Sequence, residues 1–130
     1  MKNKYKAPNS GSIAFMDTDG SIVQIYCHNA NPEEMACDLI EFYDTEEKVI
    51  NLVSSGSIER ISKIVDDCRP YAKWEGTLEI GVFLDFDSYA TSTTEEIAFH
   101  YIFIDQKWYI VLDEVPMDLM EFLEIIAESD

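Results

Sequence analysis

The stretch SIVQIYCHNANPEE, residues 21–34, is where an extended run hands over to a helix, and its reading organises the rest of the chain. Side chains alternate along a strand. Ile22, Gln24, Tyr26 and His28 therefore share one face, and Ser21, Val23, Ile25 and Cys27 share the other. Cys27 and His28 point apart, so this adjacent pair cannot make the nucleophile–base hydrogen bond of covalent catalysis. Asn31 is a good helix cap, Pro32 suits the first helical position, and Glu33 and Glu34 suit the positive end of the helix dipole.

Upstream, residues 1–11 are polar and read as a flexible arm, which leaves 12–130 as a single α+β domain. Ser12–Met16, the turn DTDG and Ser21–His28 form a hairpin pattern. Downstream of Pro32, Met35, Leu39 and Phe42 fall on an inner stripe and Glu34, Asp38 and Glu41 on an outer one. Thr45 can cap a second helix that buries Val49, Leu52 and Val53, with Gly56 as its left-handed stop. The spacing of Ile58, Ile61, Val65 and Cys68 predicts a third helix, capped by Ser57 and closed at Pro70. The period then becomes two. Leu78, Ile80, Val82, Leu84 and Phe86 align on one side of a strand over 77–86. IAFHYIFI, residues 97–104, is apolar on both faces and suits a central strand; DQK turns the chain, and Trp108–Leu112 pairs back. Pro116 opens a C-terminal helix with Leu119, Phe122, Leu123 and Ile126 inward and Asp118, Glu121, Glu124 and Glu128 outward. The expected fold is α+β: a mainly antiparallel sheet of the N-terminal hairpin plus three later strands, with three middle helices and a C-terminal helix.

Charge is the outlier of the composition. The 130 residues carry 26 acids against 9 Lys plus Arg, a formal net of -17, and Lys2, Lys4 and Lys6 account for three of those bases. From Glu75 onward 14 acids face one base, Lys107. These acids are threaded among Phe, Tyr, Ile and Leu, unlike the acids of a disordered tail. Such a field repels nucleic acid and anionic membranes and attracts basic surfaces. It argues against direct nucleic-acid binding. Cys27, Cys37 and Cys68 have no metal-type spacing, and an odd cysteine count without a signal sequence points to reduced thiols in a cytoplasm. No metal or cofactor motif is present.

The run DGSIVQIYCHNANP, followed by EKVINLVSSGSI, resembles a group of small, mostly uncharacterised proteins of phages and prophages. The matching residues are Asp19, Gly20, Ile25, Tyr26, Cys27, His28, Pro32, Lys48, Val49 and Gly56, and QKWYIV resembles the group's later strand. The likeness covers residues 12–60 well and the remainder loosely. After His28 this chain has Asn29-Ala30-Asn31 where the group has a Trp-Asp-Gly-Tyr turn. The resemblance implies an accessory protein acting in the cytoplasm of a bacterial host cell, and it implies no catalytic residue.

The outward acids offer the main candidate surface. Carboxylates three or four residues apart on a helix lie about 5–6 Å from each other at Cβ. The row Asp118, Glu121, Glu124 and Glu128 spans roughly 15 Å, can be extended by Glu114, and can imitate a phosphate backbone. Glu33, Glu34, Asp38 and Glu41 form a second set, and Asp85, Asp87, Glu95 and Glu96 add further charge. Together these predict a non-enzymatic inhibitor that occupies the basic, nucleic-acid-binding cleft of a host defence protein. Two alternatives stand beside it. One is an apolar interaction module or homodimer using Tyr71, Trp74 and Tyr89. The other is a small-ligand sensor or enzyme around Tyr26, His28 and His100.

Overall fold

Alternation along the strands gives the sheet two apolar faces, and each face gathers its own core. Ile13 and Phe15, with Ile25, Cys27, Tyr101, Phe103, Trp108 and Ile110, turn to one face. Ala14, Ile22, Ile102 and Val111 turn to the other. The computed structural model describes residues 7–70, 81–91 and 97–128. Within them the order is β1 (Ala7–Met16), β2 (Ile22–Asn29), α1 (Pro32–Phe42), α2 (Glu46–Ser54), β3 (Ile58–Arg60), β4 (Arg69–Pro70), β5 (Gly81–Phe83), α3 (Phe86–Thr91), β6 (Ile97–Ile104), β7 (Lys107–Leu112), β8 (Val115–Asp118) and α4 (Leu119–Glu128).

The fold is α+β, but its sheet is mixed where a mainly antiparallel one was expected. The strands run β4-β3-β2-β1-β6-β7-β8, with β5 also paired to β2. The β1–β6 and β2–β3 pairings are parallel, and the others are antiparallel. β6 lies between β1 and β7, as its two apolar faces predict.

The DTDG turn closes the β1–β2 hairpin with Met16 opposite Ile22. Gly20 has φ +91°, and the Asp19 carboxylate accepts from the backbone N–H and hydroxyl of Ser21. Those bonds hold the Asp19 carboxyl below its ordinary range. Asn31 caps α1 by accepting from the Glu33 N–H at 2.9 Å. Thr45 caps α2 at the Lys48 N–H, and Gly56 beyond it has φ +92°.

Four expectations are corrected. The arm assigned to residues 1–11 is too long: Ala7–Gly11 belong to β1, and Ser10 and Gly11 are buried; residues 1–6 lie outside the described part. The third middle helix does not form. Ile58–Arg60 is a strand beside β2, and Val65–Asp67 is one 3-10 turn. The Ser57 hydroxyl, expected as a cap, accepts instead from the Tyr26 N–H. The strand over 77–86 is described only at Gly81–Phe83; Phe86 starts α3, and Val82 and Leu84 are exposed. Leu78 and Ile80 lie outside the described residues. Pro116 does not open a helix but sits in β8, which pairs back on β7.

A candidate acidic interaction surface

Helices α1, α2 and α4 all bury their apolar stripes in the first core: Met35 and Leu39 from α1, Val49, Leu52 and Val53 from α2, and Leu119 from α4, with Phe122 and Leu123 against it. They therefore cover the same face of the sheet. Helix α3 covers the opposite face through Tyr89 and Ala90.

Buried polar contacts fix the end of α1. Its C-cap residue Tyr43 accepts at its carbonyl from the Trp108 indole N–H at 2.8 Å, and the Tyr43 hydroxyl donates to the Ser62 carbonyl at 2.7 Å. Trp108 belongs to β7, the strand against which α4 packs. The start of α1 is held by Tyr101, whose hydroxyl donates to the Ala30 carbonyl at 2.6 Å. Burial, with the Cys68 thiol close by, raises the Tyr43 phenol. Burial raises that of Tyr101 too, so both remain donors.

With the inner stripes committed to the core, the remaining faces of this helical layer carry acids together with exposed apolar residues such as Ile50, Met120 and Ile125. Glu33, Glu34 and Glu41 of α1 are exposed and Asp38 is half-buried. Glu47 of α2 and Glu121, Glu124 and Glu128 of α4 are exposed. The only cation within these three helices is Lys48, and its amine lies 3.2 Å from Asp44. Glu41 and Glu124 line the same groove between α1 and α4. One carboxylate of each row thus lines one feature of the surface.

The remaining acids of the expected surface are placed otherwise. Asp118 precedes α4 and caps it, accepting from the N–H groups of Met120 and Glu121. Its other oxygen is 2.8 Å from the Lys107 amine, which holds its carboxyl below the ordinary range. Glu114 sits in the β7–β8 turn and does not lengthen the α4 row. Asp85 and Asp87 do not share a strand face. Asp85 accepts from the Ser88 N–H at 2.8 Å at the start of α3, and Asp87 lies in that helix, on the other side of the sheet. Glu95 and Glu96 lie outside the described residues, as do Tyr71 and Trp74. Tyr89, expected as an exposed contact, is completely buried.

The second sheet face carries Tyr26, His28 and His100 of the ligand-sensor alternative, joined by Ser12, which the sequence reading did not single out. Ser12 faces Tyr26 on β2 and His100 on β6 in register. The Ser12 hydroxyl and His100 Nδ1 are hydrogen-bonded at 2.7 Å, and the Tyr26 hydroxyl lies 3.0 Å from His28 Nδ1. Parallel pairing of β1 with β6 creates this row, and such pairing leaves no local trace in the sequence. His100 is 7% exposed and burial holds its imidazole at about 4. On the first face, burial pushes the Cys27 thiol up to about 12, which leaves it inert at neutral pH. Among the described residues no three His, Cys, Asp or Glu side chains gather as a metal set. No helix among them is long and apolar enough to cross a membrane.

Comparison of the chain with protein-family models, with curated proteins and with solved structures returns no match.

Proposed function

We propose that this protein acts by contact, presenting the carboxylate rows of α1 and α4 to a basic surface on another protein. The observation that carries the reading is the shared layer: two helices that contain no Lys or Arg, with acids on their outer faces, packed on one side of one sheet. Ordered carboxylates at helical spacing can compete with phosphates for a nucleic-acid-binding cleft. With the phage resemblance, this makes a basic nucleic-acid-binding protein of a bacterial host, of the defence class, the partner the reading favours. The surface is narrower than the full set of acids. Glu34, Asp38, Glu41, Glu121, Glu124 and Glu128 are its residues.

The test is a pull-down from bacterial lysate with three forms of the chain at graded salt. A Glu34→Lys/Asp38→Lys/Glu121→Lys/Glu124→Lys variant should lose the bound protein. An Asp85→Lys/Asp87→Lys variant, altered on the opposite sheet face, should keep it. Equal retention by all three would remove the proposal.

A second reading, ligand sensing or catalysis around Tyr26, His28 and His100, has one observation in its favour: the two histidine hydrogen bonds lie on the same sheet face. Against it, Ser12 is fully buried and Tyr26 nearly so. Substituting His28 and His100 together without loss of the protein's effect would exclude it.

A further inference from the structure

Glu41 of α1 and Glu124 of α4 border a shallow, open depression. Between the helices runs a groove of about 400 Å³, floored by Cys37, Ile40, Met120, Leu123 and Ala127, with Glu41 on one wall and Glu124 on the other. Met120 is 58% exposed. A surface that only imitated phosphate would need charge and no apolar floor. Here an apolar floor containing an adaptable methionine lies between acidic walls. Its counterpart is a helix with an apolar stripe flanked by Lys or Arg. Along α4 the floor runs from Met120 to Ala127, about 10 Å, or two helical turns.

We propose that the α1–α4 groove is the docking site for a basic amphipathic helix of the partner protein. This rests on the reading of the acidic layer as a partner surface and names the element that it grips. Two or three apolar side chains at i, i+3 or i+4, and i+7 seat on the floor. Flanking cations meet Glu41 and Glu124 and the rows beyond them. A second copy of the chain fits poorly, because a chain of net charge -17 would bring further acids against Glu41 and Glu124.

The experiment titrates the full chain, by fluorescence anisotropy, with a labelled Leu/Lys peptide whose leucines follow helical spacing. A scrambled peptide of the same composition and an oligolysine of equal charge serve as comparisons. The amphipathic peptide should bind at least about tenfold tighter than the scrambled one. Ala127→Trp and, separately, Cys37→Trp fill the groove without changing any carboxylate. Each should erase that preference while leaving oligolysine binding intact, with circular dichroism confirming that the helices remain. Equal affinity for the two Leu/Lys peptides, or indifference to both tryptophan variants, overturns the docking proposal. If all three peptides then still bind and all are lost on Glu41→Lys/Glu124→Lys, the acidic-surface reading survives alone. If none binds, both fall. A salt-resistant dimer seen by light scattering and abolished by Ala127→Trp would put a second copy in the groove and also overturn it.

Discussion

Gly11 is a strand residue with no room for a side chain. A Cβ there would meet the Ala30 Cβ at 2.6 Å and the Phe99 carbonyl oxygen at 2.8 Å. Both belong to the framework beside the start of α1. Gly11→Ala should therefore cost about 1–3 kcal/mol in urea denaturation, a size typical of overpacking; no loss would mean that β1 starts later. His100 supplies the second residue-scale prediction. Burial holds its imidazole at about 4, below the ordinary 6.5. Between these values the unfolded chain binds the proton that the folded chain refuses. The stabilisation is complete above pH 6.5 and is lost as pH falls towards 4, up to ~3 kcal/mol in all. His100→Gln should flatten that part of the stability–pH profile relative to the parent chain, since the carboxylate background is common to both. Superimposable profiles would contradict the burial of His100.

At the scale of elements, the β7–β8 turn is the informative case. Asp113 and Glu114 have φ +51° and +69°, as do Asp105 and Gln106 between β6 and β7. Both are tight hairpin turns with left-handed residues and no glycine. Replacing Asp113-Glu114 by Asn-Gly should raise stability by ~1 kcal/mol, because the strain of two left-handed L-residues is relieved. A helix running from Pro116 would gain nothing from that change. The same turn shows why parts of the fold were legible and others were not. Asp19-Gly20, Asn31-Pro32, Thr45 and Gly56 act through bonds to neighbours a few residues away, and each does what its chemistry indicates. Ile58, Ile61, Val65 and Cys68 fit a helical stripe, yet Ile58 pairs with Cys27 across a two-helix crossover. Parallel pairing is decided far along the chain, so local periodicity misassigned it. The α1 and α4 rows were readable as outer faces. Their placement on one side of the sheet was not, because it depends on the strand order.

For the whole molecule, the consequence of that order is a division of labour between the two sheet faces. One carries α1, α2 and α4 with their acids, and the other carries α3 and the buried Ser12–His100 row. Charge spread evenly over the globule would make every acidic pair equivalent in binding. Acids also stand outside the helical layer, so the proposal turns on position: Glu34, Asp38, Glu121 and Glu124 should matter for binding, and Asp85 and Asp87 should not. The most direct measurement is the dissociation constant for the protein recovered through this surface, determined at rising salt for the parent chain and for both reversal variants. The account predicts an affinity that falls by about tenfold or more between 50 and 300 mM salt, an α1–α4 reversal that abolishes binding, and an Asp85/Asp87 reversal close to the parent. An affinity indifferent to salt, or an equal loss from the two reversals, would contradict it.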